Sequence, residues 1–158
     1  EDALAEAAAR GFPATTLRLP VVQGPRDPKL RLESYVRDIL GDRPIALREA
    51  DRTRPLRYLF VKDFAACAAS LLRAKAGIGR AYNLAMDDAG VTLPDFLREL
   101  ARALGREAEL RFAPDSASPP RSWASFLDPS LAKRELGFRP TAWREWLAET
   151  ARWYSSRP

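Results

Sequence analysis

Tyr58 and Lys62 are spaced as Tyr-x-x-x-Lys, the pattern in which a lysine assists a tyrosine acting as acid and base. That chemistry needs both side chains on one helix face, with Cβ atoms about 5–6 Å apart. The stretch Arg57-Tyr58-Leu59-Phe60-Val61 is β-rich, and along a strand four residues span about 13 Å. The pair is therefore not expected to cooperate. Gly77 and Gly79 are the only closely spaced glycines. A phosphate-cradling loop follows a strand and opens a helix, whereas these two lie between a helix and a strand. Cys67 sits among alanines in a helical stretch and reads as a buried structural thiol. Asp63, the one candidate base, reads as a helix N-cap. The chain has no histidine, which excludes a Ser-His-Asp triad, an imidazole base and a His-ligated zinc. Its single cysteine excludes an internal disulfide or a thiolate metal cluster and fits a reducing, cytoplasmic setting. Residue types alone assign no catalytic group and no metal ligand.

The elements that would position a site alternate between helix and strand. Residues 1–10 read as the tail of an Ala-rich helix, with Leu4, Ala7 and Ala8 on one face and Gly11 as its stop. Thr15 to Val22 reads as one strand with Leu17, Leu19 and Val21 alternating, closed by the turn Gln23-Gly24-Pro25. Leu32, Tyr35, Val36, Ile39 and Leu40 form a helical stripe ended by Gly41. Strands are expected at Ile45–Leu47, Arg57–Val61, Ala81–Ala85 and Glu109–Phe112. A helix from Asp63 to about Ala74, rich in Ala and Leu, is expected to be almost fully buried. Thr92 and Asp95 form a capping box for a helix carrying Leu93, Phe96, Leu97, Leu100, Ala101 and Leu104. Ala113 to Ser122, with three prolines and three serines, reads as a loop long enough for a site or lid. A short helix from Asp128-Pro129 stops at Gly137. The last helix places Trp143, Trp146, Leu147, Thr150, Ala151 and Tyr154 on one side, a core stripe and not a base-stacking platform. The pattern is α/β.

A chain of 158 residues, 46% of them hydrophobic, suits one globular domain with its own core. No apolar run approaches the ~18 residues of a membrane span, and no charged-then-apolar leader opens it. The net charge is +5, from 26 basic and 21 acidic side chains. That balance permits anionic partners, but the arginines are scattered among acids and do not point to nucleic acid.

Four stretches, in order, give the sequence a recognisable character. Leu17-Arg18-Leu19-Pro20-Val21-Val22-Gln23-Gly24-Pro25 resembles Leu-Arg-x-x-Asn-Val-Tyr-Gly-Pro. Arg57 to Asp63, leading into an Ala-rich helix, is similar to a segment ending Val-x-Asp. Ala81-Tyr82-Asn83-Leu84-Ala85 followed by Thr92-Leu93 matches a Tyr-Asn-Leu strand before a Thr-Leu helix. Asp128 to Pro140 matches Asp-x-Ser-Lys-Ala-x-x-x-Leu-Gly-Trp-x-Pro. Together they resemble the C-terminal half of the extended short-chain dehydrogenase/reductase family, the NAD-dependent epimerase/dehydratase group.

The resemblance implies the C-terminal part of a Rossmann-type doubly wound sheet interleaved, over residues 1–158, with a small α/β substrate-binding domain. It implies NAD or NADP as cofactor, with Leu19, Pro20 and Val22 facing it. Val21, Gln23, Arg57 and Arg121 would line the pocket of a small polar or carbohydrate-like substrate, arginines being suited to anionic groups. Where the family has Asn and Tyr in its loop, this chain has Val21 and Gln23. The position of a phosphate-binding arginine is Leu56, with Arg57 one place later and so on the opposite strand face. A nucleotide-sugar substrate does not follow from such a sequence. The family's Gly-rich loop and Tyr-x-x-x-Lys pair precede the matched region. The chain begins with Glu1, not Met, so it is expected to be a partial chain and inactive alone. Members of the family often pair through the helix whose tail is residues 1–10, which would make a homodimer. Two other readings remain open: an RNA-binding atypical relative, whose affinity would fall steeply with salt, and a non-catalytic assembly subunit with an exposed sheet edge.

Overall fold

A computed structural model describes residues 1–74, 77–87, 90–114 and 127–157. Along the chain run α1 (Asp2–Ala9), β1 (Thr16–Arg18), β2 (Val21–Gln23), α2 (Glu33–Leu40), β3 (Ile45–Arg48), a 3-10 turn (Glu49–Asp51), β4 (Tyr58–Phe60) and α3 (Val61–Ala74). There follow β5 (Ala81–Asn83), α4 (Leu93–Ala103), β6 (Leu110–Ala113), α5 (Ser130–Leu136) and α6 (Trp143–Ser155). The described residues gather into two compact units that interleave in sequence. The first takes Glu1–Val22, Arg57–Asp87 and 127–141; the second takes Gln23–Leu56, 90–114 and 142–157.

In the first unit β1 and β5 pair in parallel, with Thr16, Leu17 and Arg18 opposite Ala81, Tyr82 and Asn83. The single strand expected from Thr15 to Val22 is in fact two. Leu19 and Pro20 separate β1 from β2, and β2 lies beside β4 rather than β5. Pro20 has no N–H to continue a ladder, so the chain changes partners there. Leu59, Cys67, Tyr82, Leu84, Ala132 and Phe138 form this unit's core, with Leu17, Phe64 and Leu71 packed against it.

Two expectations for α3 are corrected. The helix starts at Val61, directly after β4 with no loop, so Asp63 lies inside the first turn and not ahead of it. Its carboxylate accepts the Thr141 backbone N–H at 2.8 Å and the Thr141 hydroxyl at 2.7 Å. It ties two distant segments together instead of capping its own helix. Nor is α3 almost fully buried. Phe64, Cys67 and Leu71 face the core, while Leu72 is 83% exposed. An Ala-rich composition does not say which face has a neighbour.

In the second unit β3 and β6 pair in parallel from Ile45 opposite Leu110 to Arg48 opposite Ala113. The helices α2, α4 and α6 pack on one another, and α2 also packs on β3. Phe96 of α4 meets Trp143 and Trp146 of α6 at centroid separations of 6.1 and 5.8 Å. The six residues expected on the inner side of α6 are the six it buries. The Thr92–Asp95 capping box forms in both directions, with Pro94 in the first turn. The tail of the Ala113–Ser122 loop lies outside the described residues.

Candidate functional site

Ligands of parallel α/β sheets bind beyond the carboxyl ends of the strands. In the first unit those ends are Arg18 of β1 and Asn83 of β5, and the chain leaves β1 there through Leu19 and Pro20. Leu19 is exposed, and Pro20, Val21 and Val22 are half-buried. They form a short apolar wall. Arg57 is 8% exposed and stands just before β4, the strand beside β2. Arg121 lies outside the described residues.

Asn83, part of the Tyr-Asn-Leu motif, ends β5 here. Its side-chain amide donates to the Asp128 carbonyl at 3.2 Å, while its Oδ1 is buried with no hydrogen-bond partner. Asp128 is itself fixed, accepting the Ser130 N–H at 2.9 Å and hydroxyl at 2.6 Å. Those two bonds hold its carboxyl below the ordinary range. Lys133 pairs with Asp87 on the same unit.

In the second unit Gln23 is 2% exposed and its Oε1 has no partner. Beyond it, the buried Asp27 accepts the backbone N–H groups of Lys29 and Arg31, both at 3.0 Å, and the Arg31 guanidinium at 2.7 Å. At the carboxyl end of β3, Arg48 holds Asp51 through two bonds of 3.0 and 2.8 Å. The hydrogen-bonded Arg48 guanidinium draws the Asp51 carboxyl below its usual range, against the opposing effect of burial. Arg52 stacks its guanidinium 3.6 Å from the centre of the Phe112 ring. Nothing in the sequence singles out Arg48 and Asp51, because their pairing depends on the 3-10 turn that follows β3.

These groups can bind and orient. Three titratable side chains are held further from neutrality than usual. Burial pushes the Cys67 thiol up, and burial, with the bond to Glu135, pushes the Tyr82 hydroxyl up. Tyr154 is raised by burial as well. Tyr58 is on β4 and Lys62 in α3, so they share no helix face; the Lys62 ammonium lies 6.0 Å from the Phe60 ring centre.

A dinucleotide also needs a cradle for its pyrophosphate. Gly77 and Gly79 have positive φ, +71° and +76°, but they precede β5. A Cβ on Gly77 would stand 2.7 Å from Cε2 of Tyr82, so this glycine makes room for a core ring. Among the described residues, no pair of closely spaced glycines follows a strand and opens a helix as a pyrophosphate cradle does.

No protein-family model matches the sequence, and no curated protein matches it. Solved structures do. UDP-glucuronic acid 4-epimerase from Bacillus cereus, in complex with UDP-glucuronic acid and NAD, superposes with a TM-score of 0.78 at 20% identity, over 98% of this chain and 49% of its own. The fold is that of the NAD-dependent epimerases and dehydratases. The dTDP-glucose 4,6-dehydratase of Bacillus anthracis str. Ames, in complex with NAD, gives 0.77 at 20% identity, over 98% of this chain and 48% of its own. The UDP-glucose 4-epimerase of Thermotoga maritima, with UDP-glucose, gives 0.72 at 24%, over 89% and 45%. The chain spans about half the length of these three enzymes, and it corresponds to the C-terminal portion of such structures. The α/β class and the Rossmann-type remnant expected from the motifs agree with this. Among the described residues no helix is long and apolar enough to cross a membrane.

Proposed function

We propose that these 158 residues form the substrate-binding side of an NAD(P)-dependent epimerase, dehydratase or reductase acting on a small polar or carbohydrate-like substrate. The observation that carries the reading is the superposition of most of the chain on about half of enzymes whose structures hold NAD, a sugar nucleotide or both. The first unit is the remnant of the nucleotide-binding sheet, and the second is the substrate-binding part. Leu19, Pro20 and Val22 form the wall toward the nicotinamide ring. Val21, Gln23, Arg57 and Arg121 contact the substrate, the arginines serving any anionic group. The unpartnered Asn83 oxygen adds an acceptor suited to a hydroxyl. NAD or NADP, when bound to the full assembly, supplies the hydride chemistry; this chain supplies position. Alone it binds and does not turn over. The RNA-binding reading finds less support, because arginines 18, 43, 52, 80, 98, 102 and 111 all pair with carboxylates.

Amide chemical-shift mapping tests this reading. Titration with glucose, glucuronic acid and UDP-glucuronic acid is expected to move Leu19, Val21, Val22, Gln23 and Arg57. Shifts confined to other segments, or none with any of the three, would remove the assignment.

A further inference from the structure

The amino ends of β1 and β5 carry a group of exposed apolar side chains. Each strand follows a helix, β1 after α1 by way of Gly11 and β5 after α3 by way of Gly77. The two connections run side by side. The Gly79 N–H donates to the Ala14 carbonyl at 2.7 Å, the Thr15 hydroxyl to the Gly77 carbonyl at 2.9 Å, and the Thr16 N–H to the Arg80 carbonyl at 2.9 Å. Phe12 stands on one connection and Ile78 on the other, 58% and 49% exposed, and Leu72, in the last turn of α3, is 83% exposed. Positive φ at Gly11, Gly77 and Gly79 bends the connections sharply, and a Cβ on Gly11 would meet nothing within 4 Å. Of the six large apolar side chains exposed among the described residues, these three share one end of one unit. Apolar residues scattered singly need no explanation, but a group of them marks a contact surface.

The surroundings of the group are basic. Arg10 follows α1, Arg73 lies in the last turn of α3, and Arg80 leads into β5. The C-terminal turn of α5 reaches the same end, because Glu135 accepts from Arg80 at 2.6 Å and from the Tyr82 hydroxyl at 2.7 Å, and that turn adds Arg134. All four arginines are exposed, and they stand against two carboxylates, Glu6 one turn before Arg10 and the already bonded Glu135. Arg10 and Arg73 make no ion pair among the described residues. We propose that this end of the first unit docks on an anionic lipid surface, with Phe12, Ile78 and Leu72 entering the interfacial layer and the arginines meeting the headgroups. Charge decides between occupants. A two-fold contact with a second copy sets the same arginines against one another, whereas an anionic bilayer supplies the opposite sign. Phe12 and Ile78 stand on bent tips and not in a groove; a folded partner would need a matching concavity, and a fluid surface needs none. The wall from Leu19 to Val22 lies at the carboxyl ends of the strands, so docking by the amino ends leaves it open.

The test is flotation of the purified full chain with vesicles of equimolar phosphatidylcholine and phosphatidylserine, and with vesicles of phosphatidylcholine alone. Binding to the anionic vesicles is expected to be roughly tenfold tighter than to the neutral ones and to weaken as salt is raised. Phe12→Ser with Ile78→Ser is expected to weaken it roughly tenfold, and Arg10→Glu with Arg73→Glu to remove the preference for phosphatidylserine. These side chains are exposed, so each variant is expected to keep the parent's circular dichroism. Leu40→Ser, at an exposed position of the second unit, is expected to change nothing. Absence of binding to the anionic vesicles, equal binding to both kinds, or equal losses from Leu40→Ser and the Phe12 and Ile78 changes overturns the proposal. So does a dimer in sedimentation velocity that Phe12→Ser with Ile78→Ser dissolves, which would give the surface to a second copy. Ligand mapping reads Leu19 to Gln23 and Arg57 instead, so the functional reading and the docking surface fail separately.

Discussion

Single side chains set much of this molecule's local stability. Gly77 is the sharpest case: its φ of +71° suits glycine, and a Cβ would stand 2.7 Å from the buried Tyr82 ring. Gly77→Ala combines backbone strain with overpacking, and a loss of about 2–4 kcal/mol is expected in urea unfolding. Asp63→Ala removes both bonds to Thr141 and is expected to cost about 1–3 kcal/mol by the same measurement. Asp51 gives a pH signature. Its folded pKa is lowered by Arg48, so its contribution is complete above the unfolded value of about 3.9 and is lost as pH falls through the folded one. The urea midpoint of Asp51→Asn should therefore lie below that of the parent at neutral pH and converge with it in acid. A constant gap down to strongly acidic pH would show that the pair's charge contributes nothing.

At the scale of elements, what the sequence disclosed depended on whether one segment held the whole signal. Thr92, Pro94 and Asp95 define the start of α4 locally, and the aromatic spacing of α6 names its buried face. Removing that local signal should be measurable: Thr92→Ala leaves the Asp95 N–H without its acceptor and is expected to cost about 1 kcal/mol. Where partners decide, sequence said less. Nothing local in Leu19-Pro20 reveals that β1 joins β5 while β2 joins β4. Asp63 has the composition of a cap, yet its partner is 78 residues away. Asn83 looked like ordinary strand until its orphaned oxygen was placed at the carboxyl end of β5, and the burial of Gln23 likewise comes from tertiary packing.

For the whole molecule, the ordered motifs foretold the fold where no pairwise sequence match did, because they mark turns, caps and strand ends that the architecture requires. Residue types were equally informative about chemistry. The chain has no histidine, and burial raises the pKa of its cysteine and of Tyr82 and Tyr154, so the proposed substrate-binding role assigns none of these groups a proton transfer. On the proposed function, these 158 residues bind and position a substrate but do not catalyse. The most direct test of that reading is a nicotinamide-dependent turnover assay of the purified chain with glucose, glucuronic acid and UDP-glucuronic acid. Binding without any change in NAD(H) or sugar configuration is the predicted result; turnover by the chain alone would contradict it.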